Sequence, residues 1–310
     1  MHELERMPAE TAELALLLEV GSGPKPGNVD REHDHPDMDL HGFISNASEL
    51  RGVFEEVEER NLGLGEAVLL ASKAVSSTPE TGFDPGTSEN TQFGSVLLLT
   101  PLVKASRPEV RRRGDLRTAL EEVLSGTTPE DTAEFYRCFR QLDVHVSDDP
   151  PAGIPDVHDP EAVECIRKTD TTLSEVMAVR DDLVAEEWRT GYRWSFETAQ
   201  VLESEYRERG SSNEAVWRAY LWLLSRRKDS LVSEKHGERT AEKVRRRAKK
   251  LYRQDAGELE VRRFDAELID DGINPGATAD VLASGIYVNL WTREEKPSDE
   301  TQEGTEVNRD

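Results

Sequence analysis

Apolar residues recur every three or four positions through almost the whole chain, which is the spacing of one face of an α-helix. In the segment 39–60 the apolar residues at these steps are Phe43, Ala47, Leu50, Phe54 and Val57. The same period predicts further helices over residues 8–20, 63–77, 90–106, 115–125, 129–142, 172–189, 194–209, 212–228, 237–254 and 275–291. We therefore predict an all-α fold, a single multi-helix domain whose site is built from the loops between helices.

No segment alternates apolar and polar residues for long enough to support a sheet. The best strand candidates, Val144-His145-Val146 and Glu260-Val261-Arg262, are both short. Residues 145–160 are rich in Pro and Asp and predict a long surface loop, but the helices on both sides of it share one composition. We therefore expect one domain over residues 1–292, followed by a disordered acidic tail at 293–310, which has no apolar anchor.

The chain is strongly acidic, with 63 acids, 39 bases and a net charge of -24. Only 10 of the bases are Lys, and the acids are spread from end to end. This composition is typical of a protein that stays soluble in a salt-rich cytoplasm; an acidic chain that binds a basic partner is the alternative. The net charge repels nucleic acid and anionic membranes. We interpret the basic run 245–250, which has acids on both sides, as a helix face, and expect neither partner.

Targeting and metal signals of the common kinds do not occur in the sequence. Glu3 and Glu5 and the absence of a long apolar run argue against a signal peptide, and no stretch of 18 apolar residues could span a membrane. We therefore expect a cytoplasmic protein. The two cysteines, Cys138 and Cys165, fit neither a zinc spacing nor a disulfide framework.

The first of four notable loops follows the first predicted helix and is rich in Pro and Gly. It places Lys25 between two prolines, and the acids Asp30, Asp37 and Asp39 follow. Magnesium prefers oxygen ligands and a lysine can bind phosphate oxygens, so the loop fits a magnesium-nucleotide site. The alternative is a stiff connector whose acids are solvated or cap a helix, and Asp39 is a natural N-cap.

The second loop precedes the most apolar predicted helix. Asn90 or Thr91 can cap this helix, and Gly94 lies in its first turn. A capped helix start beside a glycine can bind an anion through free backbone N–H groups. For Gly94 alone, close packing against another helix is the better interpretation.

The third loop contains Asp229 and Lys235. We expect Asp229 at the C-terminal end of the helix 212–228, where an acid opposes the helix dipole. An unfavourable position indicates another role, such as metal binding, and a solvated surface acid is the alternative.

The fourth loop opens the last helix. Asn274 is expected as the N-cap, Pro275 suits the first helical position, and Gly276 exposes the backbone. Asp280 then follows among apolar neighbours, where a carboxylate is rarely buried unless it is paired or bound to a metal. It is the strongest single-residue signal in the chain.

Together the four loops resemble the motifs of the triphosphoribosyl-dephospho-CoA synthase family. The matching segments are 24–30 (PKPGNVD), 35–39 (HPDMD), 86–94 (GTSENTQFG), 229–237 (DSLVSEKHG) and 274–283 (NPGATADVLA). They occur in the family's order. The resemblance implies an all-helical transferase that moves the triphosphoribosyl group of ATP to 3′-dephospho-CoA and releases adenine. The product becomes the prosthetic group of the acyl carrier subunit of citrate lyase or malonate decarboxylase.

The resemblance also implies roles for particular residues. A ribose hydroxyl attacks the anomeric carbon of ATP, and a carboxylate stabilises the positive charge that develops on the sugar. Asp30 and Asp280 are the expected catalytic carboxylates, and Mg²⁺, held by Asp37, Asp39 and Asp229, would bind the triphosphate. The remaining expected contacts to ATP or to the dephospho-CoA-like acceptor are Lys25, Gly27, Asn90, Thr91, Gly94, Lys235, Asn274 and Gly276.

Two departures from the citrate-lyase branch keep alternatives open. Phe93 stands where that branch has a lysine, and Leu231 ends a segment that reads Asp-Thr-Asn there. The chain could therefore be a nucleotide-binding or regulatory protein without turnover, or use the same chemistry in another cofactor pathway. The sequence leaves the oligomeric state open.

Overall fold

The computed structural model describes residues 6–35, 38–76, 92–141 and 153–292, and over these residues it contains fifteen α-helices and no strand. The predicted all-α fold is confirmed. The helices are α1 (Pro8–Gly21), α2 (Leu40–Arg60), α3 (Leu64–Ser76), α4 (Phe93–Ala105), α5 (Arg113–Ser125), α6 (Pro129–Gln141), α7 (Ala162–Thr169), α8 (Leu173–Val179), α9 (Leu183–Thr190), α10 (Arg193–Arg209), α11 (Ser212–Arg226), α12 (Ser230–His236), α13 (Glu238–Arg253), α14 (Glu258–Asp270) and α15 (Gly276–Trp291).

One of the two strand candidates is wrong. Residues 260–262 lie inside α14, where Val261, Phe264 and Leu268 are buried at helical spacing. Arg262 also pairs with Glu258 one turn earlier, which stabilises the helix further. The other candidate, 144–146, and the expected tail at 293–310 lie outside the described residues.

The predicted helix 172–189 is two helices. Thr172 begins α8 with a side chain that accepts from Glu175 N, and Asp182 begins α9 in the same way, accepting from Ala185 N at 2.9 Å. A second cap inside the segment therefore ends one helix and starts another. The periodicity also missed α7 and α12, which have only 8 and 7 residues, and the 13-residue α14, part of which was interpreted as a strand.

Helices α4 and α15 form the centre of the fold. Nearly every residue of both helices is buried, which is expected where a helix is apolar on all sides. Helix α15 packs against α1, α10, α4 and α11, and α4 packs also against α3 and α5. The N-terminal ends of both central helices consequently lie against neighbouring loops and helices.

A continuous hydrophobic core joins these elements from Ala9 in α1 to Trp291 in α15. The domain boundary at residue 292 stays a prediction. Among the described helices, none has both the length and the apolar character needed to cross a membrane.

Candidate active site

The first and fourth loops, far apart in the sequence, are in direct contact. The Asn28 side chain donates to Oδ1 of Asn274 at 2.9 Å. The buried Tyr220 hydroxyl lies 3.2 Å from the Pro26 carbonyl, to which it donates, and 3.5 Å from that of Pro275. Helix α11, which carries Tyr220, thus fixes the two loops relative to each other.

The third loop joins them through Asp229, which is only 1% exposed. Its Oδ2 accepts from the backbone N–H of Thr278 at 2.7 Å and from the Thr278 hydroxyl at 2.8 Å, and its Oδ1 accepts from Val232 N at 3.0 Å. The expected position at a helix C-terminus is wrong. Helix α11 ends at Arg226, and Asp229 is the N-cap of α12, where its charge is favourable.

The described part of the second loop meets Asp280. The Ser95 hydroxyl donates to Asp280 Oδ1 at 2.6 Å. A Cβ atom at Gly94 would lie 2.1 Å from Asp280 Oδ2, so only glycine fits beside this carboxylate. Asp280 therefore contacts the first turn of α4 from the second turn of α15, and the N-terminal ends of the two central helices lie close together.

Asp280 has an unusual proton affinity. Burial raises its pKa to about 7, the carboxylates of Glu19 and Asp229 add to this effect, and the hydrogen bond from Ser95 opposes it. The residue keeps part of its surface exposed. Near neutral pH this carboxyl group can therefore both take up and release a proton.

Lys25 is fully buried, and its charge is directed inward. Its Nζ forms an ion pair with Glu19 and donates to Asn28 Oδ1 at 3.0 Å. Burial raises the pKa of Glu19, and the charge and hydrogen bond of Lys25 offset only part of this increase. Lys25 thus stabilises the first loop from inside, and its ammonium group is too buried in this arrangement to reach a phosphate in solvent.

Asp30 shapes the same loop and is 1% exposed. Its Oδ2 accepts from Lys25 N at 3.1 Å, and its Oδ1 accepts from Glu32 N at 2.8 Å and His33 N at 3.2 Å. These bonds close the turn that follows PKPG.

Gly27 meets the chain before α15. Its φ is +76°, in the left-handed region that favours glycine, and a Cβ atom would lie 2.3 Å from the Ile273 carbonyl oxygen. Its N–H donates to Asp265 Oδ1 at 2.8 Å. Close approach of backbone to backbone therefore explains this glycine.

The remaining predicted residues lie at the edge of this arrangement. Asp39 is exposed and caps α2 by accepting from Gly42 N at 2.7 Å, as expected. Lys235 is exposed in the last turn of α12. Asp37, Asn90 and Thr91 lie outside the described residues.

Two predicted helix starts need correction. Asn274 does not cap α15, because the helix begins at Gly276 with Pro275 in the N-cap position, and the Asn274 side chain binds Asn28 instead. Helix α4 begins at Phe93, so Gln92 occupies the N-cap position expected of Asn90 or Thr91.

The two departures from the family motifs contribute apolar packing. Phe93 stacks near Phe135 and meets Phe139 edge-on, with ring centroids 6.3 and 5.5 Å apart. Leu231 lies so close to Gly276 that a Cβ atom there would be 3.0 Å from its Cδ1.

Sequence reasoning missed several polar residues of the site, namely Glu19, Ser95, Tyr220 and Asp265. For two of them the sequence contained a recognisable pattern. Glu19 follows Leu16 by three residues, and Asp265 follows Val261 by four, so each acid lies on the buried face of its helix. This is the pattern that singled out Asp280.

Of the three acids expected to hold magnesium, Asp39 and Asp229 lie in the described residues, and the predicted magnesium site stays a prediction. Asp39 is an exposed cap, and both oxygens of Asp229 accept hydrogen bonds from the protein. In the described ranges, neither belongs to a group of three His, Cys, Asp or Glu residues whose ligand atoms lie within 4.8 Å of one another.

A cavity of about 790 Å³ lies elsewhere, between α3, α5 and α6, and its lining includes Lys73, Lys104 and Asp131. It shares no residue with the four loops.

Comparisons with known proteins agree with the motifs. The family model of ATP:dephospho-CoA triphosphoribosyl transferase matches residues 5–299. A curated protein of Lactiplantibacillus plantarum, named as a 2-(5″-triphosphoribosyl)-3′-dephosphocoenzyme-A synthase, is 24% identical over 306 residues, which cover 90% of this chain and 94% of the relative. A crystal structure from Archaeoglobus fulgidus, titled as a triphosphoribosyl-dephospho-CoA synthase, is 29% identical with a TM-score of 0.64, covering 80% of this chain and 98% of that one.

The buried ion pair gives a test of what Lys25 does. We expect Lys25→Met to lower the free energy of unfolding by about 3 kcal/mol near pH 8, because it leaves the Glu19 carboxylate buried without its partner. The loss should shrink as the pH falls, since protonation removes the charge of Glu19. Urea unfolding measures both effects. The exposed control Lys235→Met should change stability by less than about 0.5 kcal/mol, and a Lys25→Met variant as stable as the wild type at pH 8 would contradict this account.

Proposed function

The chain belongs to the ATP:dephospho-CoA triphosphoribosyl transferase family, and we propose that it transfers the triphosphoribosyl group of ATP to a ribose hydroxyl of 3′-dephospho-CoA. The observation that carries this proposal is Asp280, a carboxyl group with a pKa of about 7 at the meeting point of two helix N-termini.

The reaction breaks one glycosidic bond and forms another. The bond between the anomeric carbon of ATP and adenine breaks, the acceptor hydroxyl oxygen bonds to that carbon, and the triphosphate stays on the sugar. The hydroxyl loses a proton, and the departing adenine gains one. The sugar is positively charged in the transition state, so a nearby carboxylate stabilises it.

Asp280 suits two parts of this step. Its ionised form can take the proton of the acceptor hydroxyl, and a base is most effective when its pKa is near the working pH. The same negative charge can stabilise the cationic sugar. Ser95 holds one carboxylate oxygen in place, and the missing side chain of Gly94 lets the start of α4 pack closely against the other.

The helix ends suit the triphosphate. The first turns of α4 and α15 lie together at Asp280, and the N-terminal end of a helix carries a partial positive charge. This positive potential can attract the phosphates although Lys25 is paired with Glu19, and the contact expected of the exposed Lys235 stays a prediction.

Asp30 was expected to be a catalytic carboxylate, but its contacts support a structural role. It is buried and accepts three backbone N–H bonds, so we propose that it holds the first loop in shape. We retain Mg²⁺ as the ion expected to accompany the triphosphate, but no step of this proposal depends on it. The absence of nucleic-acid and membrane partners and the cytoplasmic location also stay predictions.

Neither alternative is favoured. The two alternatives were a regulator without turnover and the same chemistry in another pathway. Both were based on Phe93 and Leu231, and each of these residues has a packing role. The relatives are named for the synthase itself.

The direct test is incubation of the protein with ATP, Mg²⁺ and 3′-dephospho-CoA. We expect free adenine and a product that retains all three phosphates, both detectable by liquid chromatography and mass spectrometry. Omitting the acceptor should abolish adenine release beyond slow hydrolysis. Formation of ADP or AMP in place of adenine would contradict the proposed reaction class.

Asp280→Asn tests the residue that carries the proposal. The amide keeps the shape of the carboxylate but cannot carry its charge, so we expect turnover to fall by about a hundredfold to a thousandfold. In the wild type kcat/KM should rise as the pH passes through about 7, because only ionised Asp280 acts as the base. The variant should lack this rise. Asp270→Asn changes an exposed acid in the same way, so this variant is the matched control and should keep full activity.

The stability of the same variant provides a second readout. A carboxyl whose pKa is raised on folding stabilises the protein only while it is protonated, so this contribution falls as the pH rises from about 4 to about 7. We expect Asp280→Asn to be at least as stable as the wild type at pH 8. An active variant with an unchanged pH profile would remove Asp280 from the mechanism.

A further inference from the structure

Three side chains meet beneath the first loop, on the side of α14. Asp30, His33 and Asp265 each offer a ligand atom, and these atoms all lie within 4.8 Å of one another. Asp265 is fully buried, Asp30 is 1% exposed, and the His33 side chain is 35% exposed. The group is thus enclosed on the protein side and open only at the histidine.

His33 and Asp265 contact each other directly. His33 Nδ1 lies 2.9 Å from Asp265 Oδ2, an ion-pair distance, and neither of these buried atoms has a hydrogen bond to any other group in the described residues. Two adjacent ligands of an octahedral ion with bonds of about 2.1 Å lie about 3.0 Å apart. The separation therefore matches two ligands on one ion.

Both carboxylates have an oxygen that can bind an ion. Asp265 Oδ1 accepts from Gly27 N at 2.8 Å, and its Oδ2 contacts His33 Nδ1. Asp30 Oδ2 accepts from Lys25 N at 3.1 Å, and a carboxylate oxygen has a second lone pair for another contact. The backbone bonds orient the two side chains and still leave them able to act as ligands.

The negative charges of Asp30 and Asp265 also favour a bound cation. Two carboxylates are buried here side by side, and a buried charge is costly unless it is paired. Lys25, the nearby ammonium group, is directed to Glu19, and Arg262 pairs with Glu32 and Glu258 at the surface. A protonated His33 would supply one positive charge for two acids, whereas a divalent ion balances both.

We propose that Asp30, His33 and Asp265 form a binding site for a divalent transition-metal ion. Carboxylates alone would suit Mg²⁺ or Ca²⁺, but an imidazole ligand favours Mn²⁺ or Zn²⁺. Water would complete the coordination on the exposed side of His33. Such an ion would join the loop that contains Gly27 and Asp30 to α14, and it binds without any nucleotide.

The test uses the full-length chain, stripped of metal by a chelator, with Mn²⁺ as the probe and no ATP present. We expect one Mn²⁺ ion per chain by electron paramagnetic resonance titration, together with a higher melting temperature. His33→Ala should weaken Mn²⁺ binding by at least about tenfold, since even indirect support of a metal ligand has an effect of this size. His41→Ala removes an exposed histidine, so this variant is the matched control and should bind Mn²⁺ like the wild type.

Asp265→Asn is a second variant, which removes a ligand charge and keeps the side-chain size. Circular dichroism of the metal-free proteins checks that each variant folds, and loss of Mn²⁺ binding in a folded variant supports the site. Unchanged Mn²⁺ affinity in His33→Ala, no stoichiometric binding to the wild type, or Mg²⁺ binding as tightly as Mn²⁺ would each overturn the proposal. These outcomes are independent of adenine release and so leave the transferase activity to its own test.

Discussion

Helix α15 is buried along almost its whole length, so the backbone N–H groups of its first turn lie away from water and need acceptors within the protein. Asp229 supplies one of them by accepting from Thr278 N. The loop before the helix is held by Asn28 through Asn274, and by Tyr220. The convergence of three distant segments on this helix end thus follows from satisfying polar groups at the start of a buried apolar helix.

The same constraint produces the chemistry of the site. Asp280 lies in the second turn of that helix, and burial together with the charges of Glu19 and Asp229 raises its pKa to about 7. Lys25 balances Glu19, and none of the ion pairs within the described residues involves Asp280. The protein thereby holds a carboxyl group that can exchange a proton near neutral pH at the meeting point of the two helix ends.

The sequence was sufficient for the fold class, because helical period is a local feature, and the family resemblance was what indicated that the four loops form one site. It was not sufficient for the partners of each side chain. Asp229 was expected at the end of one helix and caps the next, since seven residues are too few for a period to show. Asn274 was expected as a cap and instead binds Asn28, which lies 246 residues away. Such pairs depend on tertiary packing, which no local pattern encodes.

Hydrogen-deuterium exchange with and without the substrates tests most directly whether the loops form one site. With ATP, Mg²⁺ and 3′-dephospho-CoA present, exchange should slow together in residues 23–30, 93–96, 229–232 and 274–281. Slower exchange in all four segments would show that they form one binding surface around Asp280. Protection confined to the helices α3, α5 and α6 around the separate cavity, with the loop segments unchanged, would contradict the account.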